Sequence, residues 1–145
     1  MNSKTLVQTI HRSIPLSQTL GFHIAQLSES AIEVSAPLEP NINIHNAAFA
    51  GSLYSVAALT AWAMVTHLVT EAALQADVVI GKAEIIYNRP ITEAIFCRSE
   101  VASAAAEEFL TELRQSGKTK INLVVEIGNH SEASLRAVVF ATGVS

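Results

Sequence analysis

A single cysteine, Cys97, occurs in 145 residues, so the chain can form no internal disulfide and offers no thiolate cluster for zinc. Positive charge is also scarce. Nine Lys and Arg stand against thirteen Asp and Glu, for a formal net charge of −4. No basic run exists, which argues against a nucleic-acid binder. The histidines (His11, His23, His45, His67 and His130) show no metal-ligand spacing, and neither metal nor cofactor is expected. The first ten residues have no signal-peptide core before His11 and Arg12, so a cytoplasmic protein is expected. Internal repeats, linkers and low-complexity segments are lacking, and the length suits one domain over 1–145.

The most telling absence is local. Between Glu39 and Glu71 there is no Asp, Glu, Lys or Arg. The run Ala47–Val69 inside this gap reaches the roughly 20 apolar residues that a membrane span needs. Three features favour a buried helix instead. Ser52, Tyr54, Ser55, Thr60, Thr66 and His67 are scattered through it, and polar groups in lipid are costly. Its flanks are acidic, with Glu39 on one side and Glu71 and Asp77 on the other, so no positive-inside bias appears. The rest of the chain alternates like half-buried strands, and a helix apolar all round is one that a sheet encloses.

What is abundant is apolar surface: half the residues are hydrophobic and 15% are charged. That is much for a soluble monomer, and it predicts burial against further copies, as a homodimer or homotetramer. Periodicity predicts a short amphipathic helix over 3–11, with Leu6, Val7 and Ile10 on one side. Strands follow at 23–27 and 31–38, joined by a turn at 28–30. The long helix starts between Asn46 and Gly51, with Asn46 as a plausible N-cap, and ends near Leu74. Later come strands over 78–87, 94–102, 120–127 and 135–142, and a helix over 107–115 stopped by Gly117. Short connections predict that the four later strands form an antiparallel meander. The fold class is α+β, an antiparallel sheet curved around one central apolar helix.

Pro40-Asn-Ile-Asn43, Phe49-Ala-Gly-Ser-Leu53 and Leu59-Thr-Ala-Trp62 resemble the motifs of the YiiD C-terminal-type thioesterase-like family, and Ile86-Tyr-Asn-Arg-Pro90 looks like a strand end common in hot-dog thioesterases. The chain departs from that pattern with Ala47-Ala48 where relatives often have Thr, and with Ala61-Trp62-Ala63 in place of Gly-Trp-Gly. The resemblance implies a hot-dog fold. It also implies a thioester bound at the N-terminus of the central helix, between subunits, and either thioester hydrolysis or decarboxylation of malonyl-acyl carrier protein.

The residues fit such chemistry. The first N–H groups of a helix are unpaired and favour negative charge. Gly51 lacks a Cβ, so a ligand carbonyl could approach the backbone, and Asn43 could add an amide donor to complete an oxyanion hole. Equally, Asn41, Asn43 and Asn46 suit turns and caps. Ser52, Val56 and Thr60 share one helix face, and Ser52 and Thr60 could hydrogen-bond a substrate or simply back-bond to the helix. Hot-dog thioesterases often carry an acid about two turns into this helix, where this chain has Ser55-Val-Ala-Ala-Leu-Thr60. A missing base hinders hydrolysis but not decarboxylation, which needs a stabilised carbonyl oxygen and a poorly solvated carboxylate. Asn43, Gly51 and Thr60 are therefore the catalytic candidates. Asn46, Phe49, Ser52 and Tyr54 are the substrate-binding ones, with Thr60 or Tyr54 as proton donor. His45 is a possible base or a solvated loop residue, His67 a core residue, Cys97 a small buried hydrophobe, and Trp62 core or subunit packing. The expected partner is an acyl or malonyl thioester of acyl carrier protein or coenzyme A, without nucleic acid or membrane span.

Overall fold

A computed structural model describes residues 2–144. Helix α1, Ser3–Ser13, starts where the Asn2 side chain accepts a bond from the Thr5 N–H at 2.8 Å, and it buries Leu6 and Ile10. Helix α2, Leu16–Leu20, follows Pro15 and ends at Gly21. Strands β1, His23–Leu27, and β2, Ala31–Ala36, form the expected hairpin. A 3-10 turn over Glu39–Asn41 leads towards helix α3, Ala50–Glu71. Then come β3, Ala76–Tyr87; β4, Ile95–Glu100; α4, Ser103–Ser116; β5, Lys118–Ile127; and β6, Ala133–Gly143.

The six strands form one antiparallel sheet in the order β1-β2-β4-β5-β6-β3. Helix α3 packs against β2, β3, β4, β5 and β6, which is the hot-dog arrangement. The meander is not formed as expected. Strand β3 pairs with β6 at the far edge, not with β4. The chain after β3 crosses the start of α3, where the Ala48 N–H donates to the Ile91 carbonyl at 2.7 Å, before reaching β4. Alternation specifies which face a side chain takes, but not which strand lies beside it.

Burial follows the pleat. In β5, Ile121, Leu123, Val125 and Ile127 are buried while Lys118, Lys120, Asn122 and Val124 face outward. The α3 residues Val56, Ala57, Ala61, Ala63, Met64 and Val65 are all fully buried. Small alanines let the sheet approach the helix closely. Helix α3 is long and apolar enough to cross a membrane, but 67% of its apolar window is enclosed by the fold, so it serves as the core helix. Cys97 is buried beneath it, and desolvation pushes its thiol up to about 12 although the neighbouring Thr60 hydroxyl and Arg98 charge act in the opposite direction.

Strand β3 forms one edge of the sheet, and its helix-facing residues Val78, Ile80, Ala83 and Ile85 are only half covered. Trp62 reaches this strand and donates from Nε1 to the Val78 carbonyl at 2.8 Å. Beside it runs an apolar groove of about 390 Å³ lined by Leu16, Ala58, Leu59, Trp62 and Val79.

Candidate active site at the start of the central helix

The segment from Asn41 to Phe49 is a tied loop. Asn41 is buried, and its Nδ2 donates to the Leu20 carbonyl at 2.9 Å and the Pro37 carbonyl at 2.8 Å. Its own carbonyl accepts the Phe49 N–H at 2.7 Å, and Ile42 bridges Ala48 as an isolated β pair. Asn41 is thus the structural asparagine of the motif.

Asn43 is different. Its Oδ1 accepts the backbone N–H groups of His45 at 2.8 Å and Ala47 at 3.1 Å. Two donors on one oxygen settle the amide orientation. The Nδ2 group is left without a protein acceptor among the described residues. Asn43 lines a cleft of about 310 Å³ together with Ala48, Ala50, Leu53, Tyr87 and Arg89. At the same place the helix presents unpaired donors. The Ser52 and Leu53 N–H groups bond the Phe49 carbonyl, both at 3.0 Å, whereas those of Ala50 and Gly51 have no acceptor among the described residues. An amide NH₂ and a helix N-terminus therefore meet at one cleft, where they can stabilise negative charge on an oxygen.

Several sequence expectations shift position. Asn46 is not the N-cap. It is exposed, in a left-handed turn at φ 59°, and the capping position is Phe49, extended at φ −64° and ψ 133° with no side-chain cap bond. Asn46 also lies outside the cleft lining, as do Phe49, Gly51, Ser52 and Tyr54. Gly51 does not leave open space above its Cα, because a Cβ there would come within 2.6 Å of Phe49 Cε2. The Phe49 ring, itself 55% exposed, fills that room. Thr60 lies away from the cleft, fully buried, with its hydroxyl donating to the Val56 carbonyl at 2.7 Å. It shares a face with Ser52 and Val56 as expected, but only Ser52 approaches the surface. Tyr54 is partly exposed one turn from the helix start, near Tyr87. His45 is exposed on the loop and does not line the cleft.

The motif Ile86-Tyr-Asn-Arg-Pro90 does not by itself mark Tyr87 and Arg89 as site residues; the structure brings both to the cleft. The Tyr87 hydroxyl donates to the Ala50 carbonyl at 2.8 Å and pins the end of β3 to the first turn of α3. Burial, and then the neighbouring Tyr54, raise its pKa above 10.0, so it stays a donor. The signal available was a strand ending in Tyr-Asn-Arg-Pro next to a charge-free helix. Among the described residues no carboxylate lines the cleft. Glu132 is close in the chain fold, its carbonyl accepting the Asn88 and Arg89 N–H groups at 2.9 and 3.1 Å, but its Oε1 accepts the His130 N–H at 2.7 Å within the β5–β6 turn.

A second pocket, of about 420 Å³, lies at the opposite end of α3 and is lined by Glu29, Glu71 and Glu107. Acidic side chains and helix C-terminal carbonyls there disfavour an oxyanion.

Residues 3–143 match the family described as "Putative thioesterase (yiiD_Cterm)". The chain is similar to the crystal structure of the "putative thioesterase" from Shewanella oneidensis, at 29% identity and TM-score 0.88, covering 98% of this chain and 97% of that one. It is similar to a protein of unknown function from Chlorobaculum tepidum TLS at 25% identity and TM-score 0.93, covering 98% and 94%. A probable thioesterase from Pseudomonas aeruginosa, 16% identical with TM-score 0.85 over 99% and 97%, shares the fold.

Proposed function

The chain belongs to the YiiD C-terminal thioesterase family, and from that premise we propose that it decarboxylates malonyl-acyl carrier protein to acetyl-acyl carrier protein, a step that feeds the initiation of fatty-acid synthesis. One observation carries this reading: the cleft at the start of α3 offers unshared N–H donors and, among the described residues, no carboxylate in its lining. In the proposed reaction the thioester carbonyl oxygen accepts from Asn43 Nδ2 and from the Ala50 and Gly51 N–H groups. The bond between the α-carbon and the carboxylate carbon breaks. Its electron pair moves into the thioester enolate and CO₂ departs. The enolate then takes a proton from water or from the Tyr54 hydroxyl. Ser52 and Phe49 flank the bound acyl group. The rate gain comes from donors already positioned around the forming oxyanion.

Thioester hydrolysis is the second reading, favoured by the family description. It needs a base to activate water, and this reading draws that base from His45 or from a carboxylate of a partner subunit. We read residues 1–145 as one domain of a soluble, cytoplasmic homodimer or homotetramer.

The test is mass spectrometry of malonyl-acyl carrier protein after incubation with the purified protein. Acetyl-carrier protein is the expected product. Free malonate with bare holo-carrier protein identifies a hydrolase. An unchanged substrate that nevertheless binds identifies a non-catalytic binding module.

A further inference from the structure

Among the described residues the cleft has one charged group in its lining, and that group is a cation. Arg89 sits there beside Asn43 and Ala50. Its position is held twice. Its backbone N–H donates to the Glu132 carbonyl at 3.1 Å, and its Nη2 donates to the His130 carbonyl at 2.8 Å. Pro90 follows it and stiffens the backbone. A guanidinium carries five N–H donors, and only one has a partner among the described residues. The neighbouring carboxylates are engaged elsewhere: Glu93 accepts from Asn129 Nδ2 at 2.6 Å, and Glu132 accepts from the His130 N–H. No described carboxylate forms an ion pair with Arg89. A pre-positioned fork with spare donors suits an oxyanion that binds two N–H groups at once. In a protein of net charge −4, a local cation is also what admits an anionic ligand.

We propose that Arg89 recognises an anionic oxygen group carried by the acyl thioester: the phosphate of a phosphopantetheine arm or, where the thioester is hydrolysed and not decarboxylated, the free carboxylate of a dicarboxylic acyl group such as malonyl. The proposal rests on the reading that this cleft binds an acyl thioester. Arg89 is a specificity-determining residue in this account. The carbonyl oxygen belongs to Asn43 and the helix N–H groups, while Arg89 selects which thioesters stay.

The test separates the two sources and does not depend on turnover. Four pantetheine amides, in which nitrogen replaces the thioester sulfur, are titrated calorimetrically into wild type and Arg89→Gln. They carry malonyl or butyryl groups, with or without the arm phosphate. Loss of a charge-assisted hydrogen bond predicts that Arg89→Gln weakens the anionic ligands by about tenfold more than the uncharged butyryl compound. If both malonyl compounds weaken, the carboxylate is the group recognised. If both phosphorylated compounds weaken, it is the phosphate. An equal change for all four overturns the proposal. Arg89→Lys, which keeps the charge without the fork, is expected to restore part of the preference. Should Arg89→Gln not fold, salt dependence of the wild type decides: Kd must rise with ionic strength for the anionic ligands and not for the uncharged one. Binding of these ligands without any turnover of malonyl-carrier protein would reject the decarboxylase and leave Arg89's role intact.

Discussion

Asn43 shows how one side chain can hold a loop and keep a free hand. Its oxygen closes the turn through His45 and Ala47, and its NH₂ has no acceptor among the described residues. Asn43→Ala removes both roles and would confuse them. Asn43→Asp retains the acceptor and deletes the donor, so it is expected to keep the melting temperature near wild type while decarboxylation falls about 10²–10³-fold, read by product mass spectrometry. Gly51 can be tested similarly. Alanine is worth about 1 kcal/mol over glycine inside a helix, but its Cβ would strike the Phe49 ring. A double-mutant cycle in urea should therefore show Gly51→Ala stabilising in a Phe49→Ala background and offering less, or costing stability, with Phe49 present. The sequence flagged Asn43 and Gly51 through their motif. It could not tell that Asn41, two residues earlier, would be the buried staple, because turn asparagines look alike until their carbonyl partners are in place.

Helix α3 is where apolar patterning decides most. A stripe-free helix needs cover on most sides; the sheet with α1, α2 and α4 supplies much of it, and the Ser55, Ala58, Trp62 and Thr66 side stays half-covered. The cost falls on its polar residues. His67 is buried, with Nδ1 lacking a hydrogen bond and lying 4.0 Å from Glu71 Oε1. Desolvation lowers its pKa below 6.5, and the Glu71 charge opposes this less strongly. The unfolded chain therefore binds a proton more readily than the folded one. Stability from this group is complete above pH 6.5 and is lost as pH falls below it. Urea midpoints across that range should drop towards acid in wild type and drop less in His67→Gln. The ends of α3 were less legible. Asn46 carried the sequence signal of a cap, yet the helix begins after Phe49 because the loop is already closed by its bonds to Asn41 and Ile91.

For the whole molecule, the half-covered edge strand β3, the groove beside Trp62 and the exposed Phe49, Tyr54, Val79 and Ile86 leave apolar surface uncovered. Unpaired edges and contiguous apolar patches of this kind are normally covered by another chain. Sedimentation equilibrium is expected to return a dimer or tetramer of the 15.5 kDa chain, and a monomer at micromolar concentration would refute it.

The sequence alone determined the layers of this protein: which segments alternate into strands, which run forms the central helix, and that a sheet and not lipid encloses it. It did so because periodicity and the charge-free gap between Glu39 and Glu71 are local properties. Tertiary structure alone decided the neighbours. It sent β3 to the far edge beside β6, carried Tyr87 and Arg89 to the start of α3, and drew Thr60 into the core. Those placements depend on contacts between residues distant in the chain, and no local pattern encodes them.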